Sequence, residues 1–315
     1  MSKIAFIYPG QGAQKAGMGA DFYENSEIAR YIFDQAGEEL DLDMKELCFE
    51  ENDRLDLTEY TQAAMVTTCL AMTRVTESKG LKADITAGLS LGEYPAIAAA
   101  GGMNDMDAIR LVRKRGILMQ NTVPAGEGAM CAVISMAAEE IEKVIEPIAD
   151  VSVANYNCPG QIVITGKTDA VEEAAAKLKE AGARRTIMLN VSGPFHSQML
   201  VPAGEKLAEE LEHTRFHELR IPYVTNVTAE KVTDIRETPG LLTTQISSPV
   251  RWMQSMERMI ADGVDTFVEI GPGKTLEGFL RKIDRSVKVF HISQWEDVDK
   301  VCTELADSGK MMEEA

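Results

Sequence analysis

Residues 88 to 92 read Gly88-Leu89-Ser90-Leu91-Gly92, a serine with a glycine two places to either side. A serine hydroxyl can attack an acyl carbon, but near neutral pH it needs a base within hydrogen-bond reach, most often histidine. The motif alone is weak, since about one chain in ten of this length carries it by chance. Its surroundings strengthen it. The apolar stretch ending at Gly88 reads as a strand and "YPAIAAAGG" as a helix, which puts Ser90 at a strand–turn–helix junction. That is the setting an exposed nucleophilic serine requires. Glycines at the two flanks allow a strained turn and close packing of helix on strand.

Four histidines are available as the base. His213 and His217, in "LEHTRFHELR", read as surface residues on a polar helix end and connector. His291, inside the apolar "VFHIS", reads as a core or strand-edge residue. His196, in "NVSGPFHSQML", lies in a loop shaped by Gly193 and Pro194 and is the best candidate. An attacked carbonyl also needs two backbone N–H groups to hold its oxyanion. One is expected from Leu91, at the start of a helix whose dipole favours negative charge. The other is expected from the Gly10-Gln11-Gly12 turn after the first strand. Arg115, in "DAIRLVRKRGILMQ", could clamp a substrate carboxylate with two parallel hydrogen bonds. On sequence logic alone, however, it reads as one more surface arginine beside Arg113 and Lys114.

The elements that must position these groups alternate. "KIAFIY", the run from Asp84 to Gly88, "DTFVEI" and "VKVFHIS" read as strands, with helices between them. Such alternation predicts a mostly parallel sheet covered on both faces. The middle of the chain differs. "GAMCAVI", "AAEEIEKVIEPIA", "VSVANYN", "QIVITGK", "DAVEEAAAKLKEAG" and "RRTIMLNV" follow the order β-α-β-β-α-β, a ferredoxin-like unit inserted into the larger α/β domain. The predicted division is 1–124 plus 193–315 for the large domain and 125–192 for the insertion, with a ligand cleft between them. The C-terminal "KMMEEA" is expected to fray.

Composition excludes several classes. With 32 basic against 50 acidic residues the formal net charge is −18, which argues against a nucleic-acid partner. Any anionic ligand must be held by a local cationic spot such as "RLVRKRG", "ARR" or "FLRK". No apolar run reaches the roughly 20 residues of a membrane span, and the N-terminal stretch is too short for a signal peptide, so a cytoplasmic location is expected. Five scattered cysteines lack any C-x-x-C or Cys/His spacing, so free thiols and no metal are expected. Val268 stands where Walker A needs its first glycine, and Lys15 where G-x-G-x-x-G needs its third, which argues against ATP and NAD.

Taken together, "FIYPGQGAQKAGMG", "GLSLGE", Arg115 to Gln120, "ANYNCPGQIVITG", "GPFHSQML", "QISSPVRW" and "EIGPGKTL" stand in the order and spacing of malonyl-CoA:acyl carrier protein transacylases. The chain resembles that family from about Lys3 to about Ser293. The resemblance implies an α/β-hydrolase-like large domain with a ferredoxin-like small one. It also implies malonyl transfer from malonyl-CoA to the phosphopantetheine thiol of holo acyl carrier protein, by a ping-pong route serving fatty-acid synthesis. Carried over by position, Ser90 is the nucleophile, His196 its base, Gln11 and Leu91 the oxyanion amides and Arg115 the holder of the malonyl carboxylate. Gln245 orients His196 through its backbone carbonyl, a dyad without an acidic third member, and Asn155 lines the cleft. No cofactor is implied, the CoA thioester being the substrate. Three positions depart from the usual pattern: Leu89 where histidine is common, Pro95 in an early helical turn, and Phe195 before the histidine, the last supporting malonyl over methylmalonyl. A thioesterase or other serine hydrolase, a non-catalytic carrier-binding module and the same transfer in polyketide synthesis are the alternatives.

Overall fold

The strand β1 (Lys3–Tyr8) forms the middle of the main sheet because its run of buried apolar side chains can be covered on both faces. Ile4, Phe6 and Tyr8 enter one hydrophobic cluster, while Ala5 and Ile7 enter another on the opposite side. In the computed structural model, which describes residues 3–191 and 193–307, nine further strands follow. They are β2 (Ile85–Gly88), β3 (Gly128–Ile134), β4 (Val151–Cys158), β5 (Gln161–Lys167), β6 (Arg185–Met188), β7 (Tyr223–Val224), β8 (Lys231–Val232), β9 (Val264–Ile270) and β10 (Lys288–Ile292). The "KMMEEA" tail lies outside the described residues.

The main sheet has the order β10-β9-β1-β2-β7-β8 and is parallel apart from the β7–β8 pair. Tyr8 is in register with Gly88, so β1 and β2 end level and their loops emerge side by side at the carboxyl edge. Ligands of open α/β sheets bind at that edge. The second sheet has the order β4-β5-β3-β6 with antiparallel neighbours, and the helices Ala138–Ile145 and Thr168–Glu180 complete the β-α-β-β-α-β order expected of a ferredoxin-like unit. Its two faces follow the two-residue period of a strand. Cys131, Val133, Ile162 and Ile164 pack in a cluster with the unit's own helices, whereas Met130, Ala132 and Val163 join the main core.

The α/β class and the mostly parallel sheet agree with the sequence reading. Strands β7 and β8 were not anticipated, because two residues are too few to show a period. All five cysteines are free thiols and four are buried. Among the described residues no cluster of side chains could hold a metal, and no helix is long and apolar enough to cross a membrane.

Candidate active site

One residue, Leu89, separates β2 from Ser90, which opens a single 3-10 turn, Ser90–Gly92, leading into the helix Glu93–Ala99. Its φ of 53° is the left-handed conformation that L-residues avoid. The strain therefore sits on the serine itself. Its two glycines are needed for another reason, which is space. A Cβ on Gly88 would stand 1.8 Å from the Gly92 carbonyl oxygen, and one on Gly92 would stand 2.4 Å from that of Tyr8. Asn226 braces the turn: its Oδ1 accepts the Ser90 N–H at 2.7 Å and its Nδ2 donates to the Gly88 carbonyl at 2.7 Å.

His196 is buried and, with a φ of 62°, also left-handed. Its Nε2 lies 2.8 Å from Ser90 Oγ although the two residues are 106 positions apart. Its Nδ1 lies 2.9 Å from the Gln245 backbone carbonyl. A carbonyl only accepts, so Nδ1 carries the proton and Nε2 presents its lone pair to the serine. Burial, aided by the nearby Arg115 cation, lowers the imidazole pKa from its ordinary 6.5 to about 4. At neutral pH His196 is thus an uncharged base.

Arg115 is fully buried. It lies on the helix Asp105–Asn121, whose buried face runs through Ala108, Val112, Arg115 and Met119 at helical spacing. Its Nη1 donates to Gln62 Oε1 at 2.8 Å, and its Nη2 donates to Gln245 Oε1 at 3.0 Å and to Ser90 Oγ at 3.1 Å. The guanidinium also lies over the Tyr94 ring, 5.5 Å from its centroid. Among the described residues it forms no ion pair, and burial lowers its pKa. Its neighbours behave differently: Arg113 pairs with Glu59 at 2.9 Å and the exposed Lys114 with Glu210 at 3.4 Å. Arg115 is thus not the surface arginine that sequence logic alone suggests. The signal was present in the apolar stripe, which includes position 115 and skips 113 and 114.

The loop after β1 lies against the serine turn. The Leu89 N–H donates to the Tyr8 carbonyl at 3.0 Å, and a Cβ on Gly10 would come within 2.8 Å of the Leu89 carbonyl oxygen. Gln11 sits in this loop, its side chain donating to Thr58 Oγ1 at 3.1 Å, and Leu91 follows Ser90 in the 3-10 turn. Gln245 contributes at both ends, with its carbonyl on His196 and its Nε2 on the Ser90 carbonyl at 3.0 Å. Asn155 is buried in β4, where backbone hydrogen bonds on either side of it tie the small sheet to Val250. Among the described residues its side chain makes no hydrogen bond to Ser90 or His196.

Three residues escaped the sequence reading. Glu93 is fully buried, and its Oε2 accepts from Gln245 Nε2 at 2.7 Å and from the Asn226 N–H at 3.1 Å. Desolvation raises its pKa to about 7. In sequence it looks like an ordinary acidic residue in a first helical turn. Asn226 follows the two-residue strand β7, and Gln62 lies on the almost wholly buried helix Thr58–Ser78. Neither has a sequence signal. Of the departures, Pro95 falls in the first turn of its helix, where a missing N–H matters little. Leu89 packs beside Gly10, Phe195 is buried in the main core, and His217 is half-buried rather than a free surface residue.

A serine in a strained turn, a neutral histidine and a buried arginine at the carboxyl edge of a parallel sheet define an acyl-transferring serine enzyme. Residues 5–298 match the acyl transferase domain family. A malonyl CoA-acyl carrier protein transacylase of Bacillus subtilis is 44% identical over 304 residues, covering 95% of this chain and 96% of its own length. The crystal structure of the Clostridium perfringens protein of that name superposes with a TM-score of 0.94 at 42% identity, covering 98% of both chains. A type II PKS acyl-carrier protein in complex with its malonyl-transacylase matches with a TM-score of 0.93 at 35% identity, covering 96% of this chain and 100% of that one. The chain belongs to the malonyl CoA-acyl carrier protein transacylase family.

Proposed function

We propose that this chain transfers a malonyl group from malonyl-CoA to the phosphopantetheine thiol of an acyl carrier protein, through a malonyl ester on Ser90. The observation that carries the reading is the double contact at Ser90 Oγ, with a neutral imidazole nitrogen at 2.8 Å and a buried guanidinium nitrogen at 3.1 Å. The first suits deprotonation of the hydroxyl. The second suits an acyl group that ends in a carboxylate.

In this reading Ser90 Oγ attacks the thioester carbon as His196 Nε2 takes its proton. The oxyanion rests on the Gln11 and Leu91 backbone N–H groups, and collapse expels CoA, whose sulfur receives the proton from His196. The carrier thiol then gives its proton to His196, attacks the ester carbon and leaves with the malonyl group, returning the proton to Ser90. Arg115 holds the malonyl carboxylate throughout, and the Gln245 carbonyl keeps Nδ1 protonated. The carbonyl stabilises the transient imidazolium less than a carboxylate would. Asn155 lines the cleft beside the small unit, whose division from the large domain we place near residues 125 and 192. No cofactor is called for, because the thioester is itself the activated substrate. The buried thiols and the lack of any disulfide among the described residues support a reducing, cytoplasmic setting.

Fatty-acid synthesis is the favoured pathway. Transfer to a polyketide carrier is a second reading, favoured by the likeness to the type II PKS complex. Intact-mass analysis tests the core of the proposal. Incubation with malonyl-CoA should add one malonyl group to the wild type and none to Ser90→Ala, and holo carrier protein should remove it. An adduct lost to water equally fast with and without carrier would make the protein a hydrolase.

A further inference from the structure

We propose that Glu93 is a positioning residue for the Ser90–His196 pair, its carboxyl oxygen Oε2 acting as the shared acceptor that holds both Gln245 and Asn226. This rests on the acyl-transfer reading and deepens it. The imidazole Nδ1 faces the Gln245 backbone carbonyl rather than a carboxylate. One layer further in, however, Oε2 of Glu93 receives Gln245 Nε2 at 2.7 Å and the Asn226 N–H at 3.1 Å.

These two donors lead to different halves of the site. Gln245 aims the imidazole through its carbonyl and also contacts the Ser90 carbonyl and Arg115. Asn226 holds the Ser90 N–H and the Gly88 carbonyl, which brackets the nucleophile turn. Ser90 and His196 both occupy the left-handed region, at φ of 53° and 62°. Conformations of that kind persist only where surrounding contacts over-determine them. Glu93 is the point at which those contacts meet. Both donors end on the single oxygen Oε2, so what Glu93 supplies to them is an acceptor at one place rather than a diffuse negative charge.

Three variants separate acceptor from charge. Glu93→Gln can put its amide oxygen where Oε2 stands and should keep nearly wild-type malonylation of Ser90. Glu93→Asp keeps the charge but withdraws the acceptor by one methylene, and Glu93→Ala removes it. Both should slow malonylation at saturating malonyl-CoA roughly 10- to 100-fold, the scale of loss for a small misplacement of reacting groups. The half-saturating concentration should not change. The His196 Nδ1 proton resonance should move or broaden in the Asp and Ala variants and not in Gln, which a general loss of stability would not do. If alanine fails to fold, the Gln and Asp pair still decides. Asp malonylating as fast as wild type, or Gln as slowly as Asp, overturns the proposal. Wild-type protein that forms no adduct would instead sink the acyl-transfer reading on its own.

Discussion

Replacing Arg115 with alanine should abolish the preference for malonyl-CoA over acetyl-CoA while leaving acyl-serine formation intact. A charge-assisted hydrogen bond contributes about 1.5–3 kcal/mol, so two parallel bonds to a buried carboxylate contribute about 3–6 kcal/mol. The gain is smaller than that sum, because Arg115 already donates to Gln62, Gln245 and Ser90. Giving up two bonds to uncharged acceptors, at about 1 kcal/mol each, leaves about 1–4 kcal/mol. At about 1.36 kcal/mol per decade, that is a selectivity loss of roughly 10- to 1,000-fold. The assay is the ratio of initial Ser90 acylation rates with the two thioesters, measured by intact mass at subsaturating concentration. Arg115→Lys should fall between, since an ammonium supplies the charge without the two-pronged geometry. An alanine variant that keeps the wild-type ratio would refute the role given to Arg115, whatever its overall rate.

Two more outcomes follow from the site. In the proposed mechanism His196 acts as a neutral base, and its pKa is lowered to about 4, so the acylation rate should hold as pH falls through 6.5 and drop only near 4. Removing the Arg115 cation should move that acid limb upward; a wild-type limb at the ordinary histidine value would contradict the burial argument. Gly92→Ala places a methyl 2.4 Å from the Tyr8 carbonyl oxygen, which backbone cannot readily yield. It should destabilise the fold by roughly 1–3 kcal/mol or more in chemical denaturation, and an unchanged midpoint would show that the turn has slack.

Much is legible in the sequence, because it is written in local patterns. The apolar run at Lys3–Tyr8, the alternation of strands and helices and the β-α-β-β-α-β order all arise from short-range periodicity, which a one-dimensional string preserves. Ser90 could be singled out because strand, turn and helix are contiguous there. His196 needed the added inference that a loop at the end of the insertion faces a cleft. Leu91 and the Gln11 turn follow from the strand–turn–helix pattern as well as from motif order, whereas the roles of Gln245, Arg115 and Asn155 rest on motif order; Gln245, Gln11, Leu91 and Arg115 stand beside Ser90 by contact or by adjacent loops.

What the chain alone determined is most of the elements and the strand–turn–helix setting of Ser90, since both depend on neighbours within a few positions. The folded structure decided which polar residues are buried together. Arg115 is desolvated while Arg113 and Lys114 are paired at or near the surface, because helix rotation and packing against Thr58–Ser78 select one face. Glu93 and Asn226, 133 positions apart, share a hydrogen bond only because the parallel neighbours β2 and β7 end beside each other. Burial and strand order are properties of the whole chain at once, and they set the charge state of each group in this site.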